Sequence, residues 1–140
     1  MSETIHASTV AIGGRAVLLE GPSGAGKSDL ALRLIDRGAV LVSDDYTVLT
    51  ASDDLLLASA PPTIAGRMEI RGVGIIFVTH VEPVPVALLI RLAGPVERLP
   101  EPESRWFDGV PVRAIALDPH EASAPIKVEL AVKHLLEGAP

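Results

Sequence analysis

The chain has 140 residues, about one domain's length, with 48% apolar residues, only 3% aromatic and no cysteine. Basic residues number 12 and acidic residues 18, leaving a formal charge of −6, which argues against nucleic acid or an anionic membrane as partner. The absence of cysteine excludes disulfides and thiolate metal sites, and no apolar run approaches the roughly 18 residues of a membrane span.

A chain of this length buries roughly 70% of its unfolded surface. With so few aromatics, Val, Leu, Ile and Ala must fill the core, which suits a sheet covered by helices. The start, "MSETIHASTVAIGG", lacks the basic and apolar regions of a signal peptide. We expect a cytoplasmic protein and one α/β domain over residues 1–140.

"STVAIGGRAVLLEG" predicts two strands turning at Gly13-Gly14, the second running into a glycine-rich loop. A helix follows over Ser28 to Arg37. Leu30, Ala31, Leu34 and Ile35 fall on one face; Asp29, Arg33, Asp36 and Arg37 fall on the other. Gly38 is a stop signal. The run Ala39 to Val42 predicts a buried strand with Asp44 and Asp45 just beyond it. "ASDDLLLASAPPTIAGR" reads as a hairpin or excursion broken at Pro61-Pro62. "MEIRGVGIIFV" and "PVPVALLIRLAG" read as a strand each. "GPVERLPEPESRWFDG" reads as a mobile surface loop, "VPVRAIALDP" as another strand, and Pro125 to Leu136 as a closing helix with Glu129 and Lys133 at helical spacing.

The loop carries the complete pattern G-x-x-x-x-G-K-S: Gly21, Pro22, Ser23, Gly24, Ala25, Gly26, Lys27, Ser28. Its glycines let backbone N–H groups approach phosphate oxygens, and the helix that follows points its positive end at the same place. Lys27 would reach the β- and γ-phosphates, and the Ser28 hydroxyl would ligate Mg²⁺. A chance glycine-rich turn is the alternative, but a strand before and an amphipathic helix after supply the required context.

Asp44 and Asp45 lie 17 and 18 residues after Lys27, at the end of a strand, where ligands gather in parallel α/β folds. One could hold Mg²⁺ through water and the other could take a proton from an attacking hydroxyl; "DD" also marks solvated turns. Glu69 and Arg71, two apart, would share a face of an extended segment. That pair suits a metal-bound phosphate, although spacing alone favours a surface ion pair. His6 could approach the loop if the first two strands pair antiparallel; a lone histidine is more often structural. Arg98 is a surface arginine by default.

In this order the pieces resemble the HPr kinase/phosphorylase family, specifically its C-terminal catalytic domain. The resemblance rests on "GPSGAGKSDLALRLIDRGAVLVSDDYTVL" and above all on "EIRGVGIIFV", which is very like the family signature. It implies a P-loop-containing mixed β-sheet with flanking helices, similar to the HPr kinase and phosphoenolpyruvate carboxykinase core. It implies ATP- and Mg²⁺-dependent phosphorylation of a serine of HPr, a phosphocarrier of the bacterial phosphotransferase system. Many members also run the reverse phosphorolysis of phosphoseryl-HPr. By resemblance, Gly21 to Ser28 bind ATP and Lys27 steadies the phosphates. Asp45 is the proton acceptor, with Asp44 as second choice. His6 tunes Asp45, and Ser28, Asp44 and Glu69 face Mg²⁺. Arg71 holds phosphate, and Arg98 matches an arginine of a similar "DRLG" segment.

The chain also departs from the family pattern. It looks like a short form without the N-terminal domain. Phe77 stands where the signature usually ends in an acid. "ALDPHEASAPIKVELAV" lacks both arginines of a loop tied to dephosphorylation, which puts the reverse reaction in doubt. A hexamer is the family habit, and the arginines around "VERLPEPESRWFDG" are candidates for contact with HPr, with Trp106 and Phe107 as anchors. The rivals are a small-molecule P-loop kinase and a nucleotide-sensing regulator without transfer. A GTPase is the poorer one, because no N-K-x-D-like motif is present.

Overall fold

The computed structural model describes residues 2–136. Its centre is built from strands so apolar that both faces must be covered. Strand β3 (Arg15–Glu20) buries four residues in succession, and β2 (Ala7–Ile12) buries five. Alternate side chains feed two separate cores, as the strand's period of two requires. Val17 and Leu19 point toward helices α1 (Lys27–Asp36) and α2 (Ala124–Leu136), whereas Ala16 and Leu18 point to the opposite face. There they meet Leu49 of β5 (Thr47–Ser52) and Leu56 of β6 (Leu55–Ser59). Burying each such leucine contributes about 1.5–3 kcal/mol.

With β1 (Ser2–Ile5), β4 (Val40–Ser43) and β9 (Val84–Leu92), the large sheet runs β1-β5-β6-β9-β3-β2-β4. Strand β11 (Val110–Leu117) joins it parallel to β9, and β10 (Glu103–Phe107) pairs antiparallel with β11. Because β3 is parallel to β9, and β2 is antiparallel to both β3 and β4, the strands β4, β3, β9 and β11 end at one edge. That edge carries the site. Two short strands, β7 (Arg67–Ile70) and β8 (Gly74–Phe77), form a separate hairpin.

Helix α1 stops as anticipated. Gly38, at φ 114°, donates to the Ile35 carbonyl, and Ala39 donates to Leu34, the paired bonds of a left-handed helix cap. Arg37 is held by the Glu129 carboxylate, whose hydrogen bonds raise the guanidinium pKa above its usual value and tie α1 to α2. Glu129 therefore serves a tertiary pair and not the local spacing to Lys133.

Three expectations change. The single strand expected over "MEIRGVGIIFV" is a hairpin, because Gly72 and Gly74, both at positive φ, turn the chain. The stretch expected to be a mobile loop ends in β10, where Arg105 makes a bidentate pair with Glu20 that raises its pKa. Phe107 is 6% exposed and belongs to the core, so of the two proposed anchors only Trp106 is outward.

Candidate active site

Four segments converge at the common strand edge. The glycine loop joins β3 to α1, with Gly24 at φ 83° and Gly26 at φ 103°. These are left-handed conformations that glycine adopts without steric cost. Gly26 is the N-cap of α1 and no side chain caps the helix, so its first-turn N–H groups face outward uncapped. Lys27 is 5% exposed, and its Nζ donates to the carbonyls of Gly21 (2.8 Å) and Pro22 (3.1 Å).

Asp44 follows β4 and is buried. Its Oδ1 accepts from the Ser28 hydroxyl at 2.6 Å and from the Ser8 hydroxyl at 2.9 Å, and its Oδ2 accepts from the Glu69 amide at 3.3 Å. Three donors hold a carboxylate that burial would otherwise penalise. Asp45 is the next residue but points elsewhere. Its backbone is left-handed at φ 70°, and its amide donates to Ser8 Oγ at 3.0 Å. Its Oδ1 lies 2.8 Å from His6 Nε2, and the His6 ring stacks on Tyr46 at 5.0 Å between centroids. The antiparallel pairing of β2 with β3 brings His6 to this end of the sheet, because Ala7 stands opposite Glu20.

A cavity of about 530 Å³ lies over these groups. Ser23, Gly24, Gly26, Lys27 and Ser28 line its floor; Asp44, Asp45, Glu69 and Arg71 line one side, and Pro119 and His120 the other.

The family model for the HPr Serine kinase C-terminal domain matches residues 1–82. The chain belongs to this family. It is 43% identical over 76 residues to an HPr kinase/phosphorylase of Clostridium botulinum (strain Eklund 17B / Type B), covering 54% of this chain and 25% of that protein. It is 49% identical over 76 residues to one from Peptoclostridium acidaminophilum, with the same coverage of 54% and 25%. The chain thus aligns with about a quarter of the length of these relatives. A solved structure of the Hpr(Ser) kinase/phosphatase from Coxiella burnetii superposes with a TM-score of 0.81 at 32% identity, over 93% of each chain. The mixed α/β fold is therefore the family fold.

Of the residues singled out from sequence, the fold brings Ser23, Gly24, Gly26, Lys27, Ser28, Asp44, Asp45, Glu69 and Arg71 to one cavity, with His6 behind Asp45; Gly21, Pro22 and Ala25 belong to the same loop but do not line the cavity. Glu69 and Arg71 do not share a strand face as expected, because β7 ends at Ile70 and Arg71 begins the turn; both reach the cavity nonetheless. Arg98 does not line it. That arginine is exposed in the stretch between β9 and β10.

Ser8 was missed. It is fully buried and bridges the Asp44 side chain to the Asp45 backbone. The available signal was its place two residues after His6, at the start of the apolar strand that leads in sequence toward the glycine loop. The Pro119–His120 wall was also missed, since nothing local in "LDPH" separates a cavity wall from an ordinary turn.

No helix among the described residues is long and apolar enough to cross a membrane.

Proposed function

We propose that this chain is a protein-serine kinase that transfers the γ-phosphoryl group of MgATP to a serine of an HPr-type phosphocarrier. The observation that carries this is the pair of carboxylates at the mouth of the glycine loop: Asp44 bonded to Ser28, Asp45 bonded to His6. The two acids are adjacent in sequence yet have different partners, as separate metal-holding and proton-accepting roles require.

The residues fit a magnesium nucleotide. Uncapped helix amides and two left-handed glycines offer backbone donors to phosphate oxygens. Ser28, Asp44 and Glu69 offer hard oxygen ligands, the kind Mg²⁺ prefers. Among the described residues no three or more His, Asp or Glu side chains form a ready-made cage. That is compatible with an ion that keeps several waters and shares its shell with phosphates. When bound, the ion would neutralise charge on the transferred group.

The chain's own groups supply the rest. Lys27, lodged against the loop carbonyls, would offer its ammonium to the phosphate tail. Asp45 accepts the proton of the serine hydroxyl as its oxygen bonds to the γ-phosphorus; the bond from that phosphorus to the bridging oxygen breaks and ADP leaves. His6 fixes one Asp45 oxygen and leaves the other to take the proton. Arg71, at the cavity rim, supplies positive charge near the transferred group.

Forward transfer is favoured over phosphorolysis, because the turn after β11 offers no arginine for incoming phosphate. Purified HPr incubated with ATP and the protein should acquire phosphoserine. Asp45→Asn should keep nucleotide affinity and lose about 10²–10⁴-fold in turnover, the usual contribution of a positioned base. Transfer to small alcohols but not to HPr, or an undiminished Asp45→Asn variant, refutes the assignment.

A further inference from the structure

The cavity has one flank that the transfer chemistry does not use. Asp44 and Asp45 end β4, and the glycine loop ends β3. On the other side of β3, beyond β9, strand β11 ends at the same edge and delivers Asp118 to Glu121. Phosphates held at the centre, with the acids on the β4 flank, direct the rest of a nucleotide toward the β11 flank. Ligands in open α/β sheets lie across such an edge.

That flank is a built wall. Pro119 is buried and packs over the loop: a Cβ placed on Gly26 would lie 3.6 Å from its ring carbons. Arg33 of α1 straps the turn from beneath, donating to the Pro119 carbonyl (2.5 Å) and the Glu121 carbonyl (3.4 Å). Its Nε lies 3.1 Å from Asp29 Oδ2, though out of line for a hydrogen bond. The His120 amide donates to Asp118 Oδ1 at 2.9 Å, and the Glu121 amide donates to the Asp118 carbonyl at 3.4 Å. Lys127 reaches the Glu121 carboxylate at 2.6 Å. Pro119, the exposed His120 and Leu32 line the cavity on this flank, with Arg33 beside them.

Two consequences follow from the chemistry. The turn itself contains no cation; Arg33 lines the cavity but spends its two terminal nitrogens on the Pro119 and Glu121 carbonyls and lies beside Asp29, and Lys127 is paired with Glu121, so the flank is poorly suited to a free phosphate. The amides of His120 and Glu121, beside the cavity, are both committed inside the turn, so neither is free to read a base edge. A surface with an imidazole, a proline ring and a leucine side chain binds flat rings by contact, which every base offers.

We propose that Pro119, His120 and Leu32, held by the Arg33 strap, seat the nucleoside of the bound triphosphate without discriminating among bases. This rests on the nucleotide-binding part of the function above, but not on transfer to HPr. The test is direct binding of ATP, GTP and inorganic tripolyphosphate in the presence of Mg²⁺. Tripolyphosphate carries the charged tail and no nucleoside.

The parent protein should bind ATP and GTP with affinities within about threefold of each other, a difference under ~1 kcal/mol. His120→Ala should weaken both about tenfold, near the lower end of base–aromatic stacking, and leave tripolyphosphate unchanged. Arg33→Ala, which releases the wall, should follow the same pattern. Equal losses for tripolyphosphate, unchanged ATP affinity in both variants, or a strong preference for one base would each overturn the proposal. So would a parent protein that binds none of the three. Nucleoside-dependent binding without phosphorylation of HPr would instead sink the kinase assignment and leave this subsite standing.

Discussion

Replacing Ser8 with Ala removes one oxygen from the place where both acids are held. The hydroxyl donates to Asp44 Oδ1 and accepts from the Asp45 amide, in a position with no solvent exposure. A hydrogen bond to a charged group contributes about 1.5–3 kcal/mol, and an amide left unpaired adds a penalty of about 1–3 kcal/mol. Asp44 keeps its bond from Ser28, which limits the loss, so a net destabilisation of about 2–4 kcal/mol is expected.

The effect on turnover should exceed what stability alone explains. The residue at φ 70° has lost its anchor, and removing a partner that orients a ligand typically costs about 10–100-fold in metal affinity or activity. The comparison is Leu56→Ala, a core truncation on the far face with a similar cost of about 2–5 kcal/mol and no contact with either acid. Both variants would be followed by denaturant unfolding and by phosphorylation of HPr at a temperature where each is folded. Ser8→Ala should lose transfer and Leu56→Ala should keep it. Equal turnover in the two folded variants would refute the role assigned to Ser8.

Gly21→Ala tests the loop by volume, since the new Cβ would lie 3.0 Å from Ala25 Cβ and 3.3 Å from Leu92 Cβ. Overpacking of this kind costs about 1–3 kcal/mol, so MgATP affinity measured by titration should fall about tenfold while the fold persists. Arg37→Ala removes an exposed ion pair between the helices; its small loss in melting temperature should shrink between about 0.1 M and about 1 M salt, where screening shortens from about 10 Å to about 3 Å.

How much of the site is legible in the linear chain depends on the range of the physics. The glycine loop, the start and stop of α1 and the apolar run of β4 are local: glycine spacing, amphipathic period and a stop glycine specify them within a few turns. So Gly21 to Ser28, Asp44 and Asp45 could be named from sequence, and the family likeness gave roles to Glu69 and His6, which spacing alone favoured as a surface ion pair and a structural histidine. Strand β1, the β7–β8 hairpin and β10 were missed or misread because their pairing partners lie elsewhere in the chain or depend on turn glycines.

Only the folded chain decided which partners the site residues took. Ser8 reaches Asp44 across 36 residues, His6 reaches Asp45 across 39 and Arg33 reaches Pro119 across 86. A hydroxyl or guanidinium bonds whatever the sheet order sets beside it, and that order is the outcome of burying two apolar faces at once. The sequence alone could therefore announce a loop able to hold phosphate. Which acid stays buried on Ser28, which is turned toward His6, and which wall faces the opposite flank were settled by strand pairing and packing.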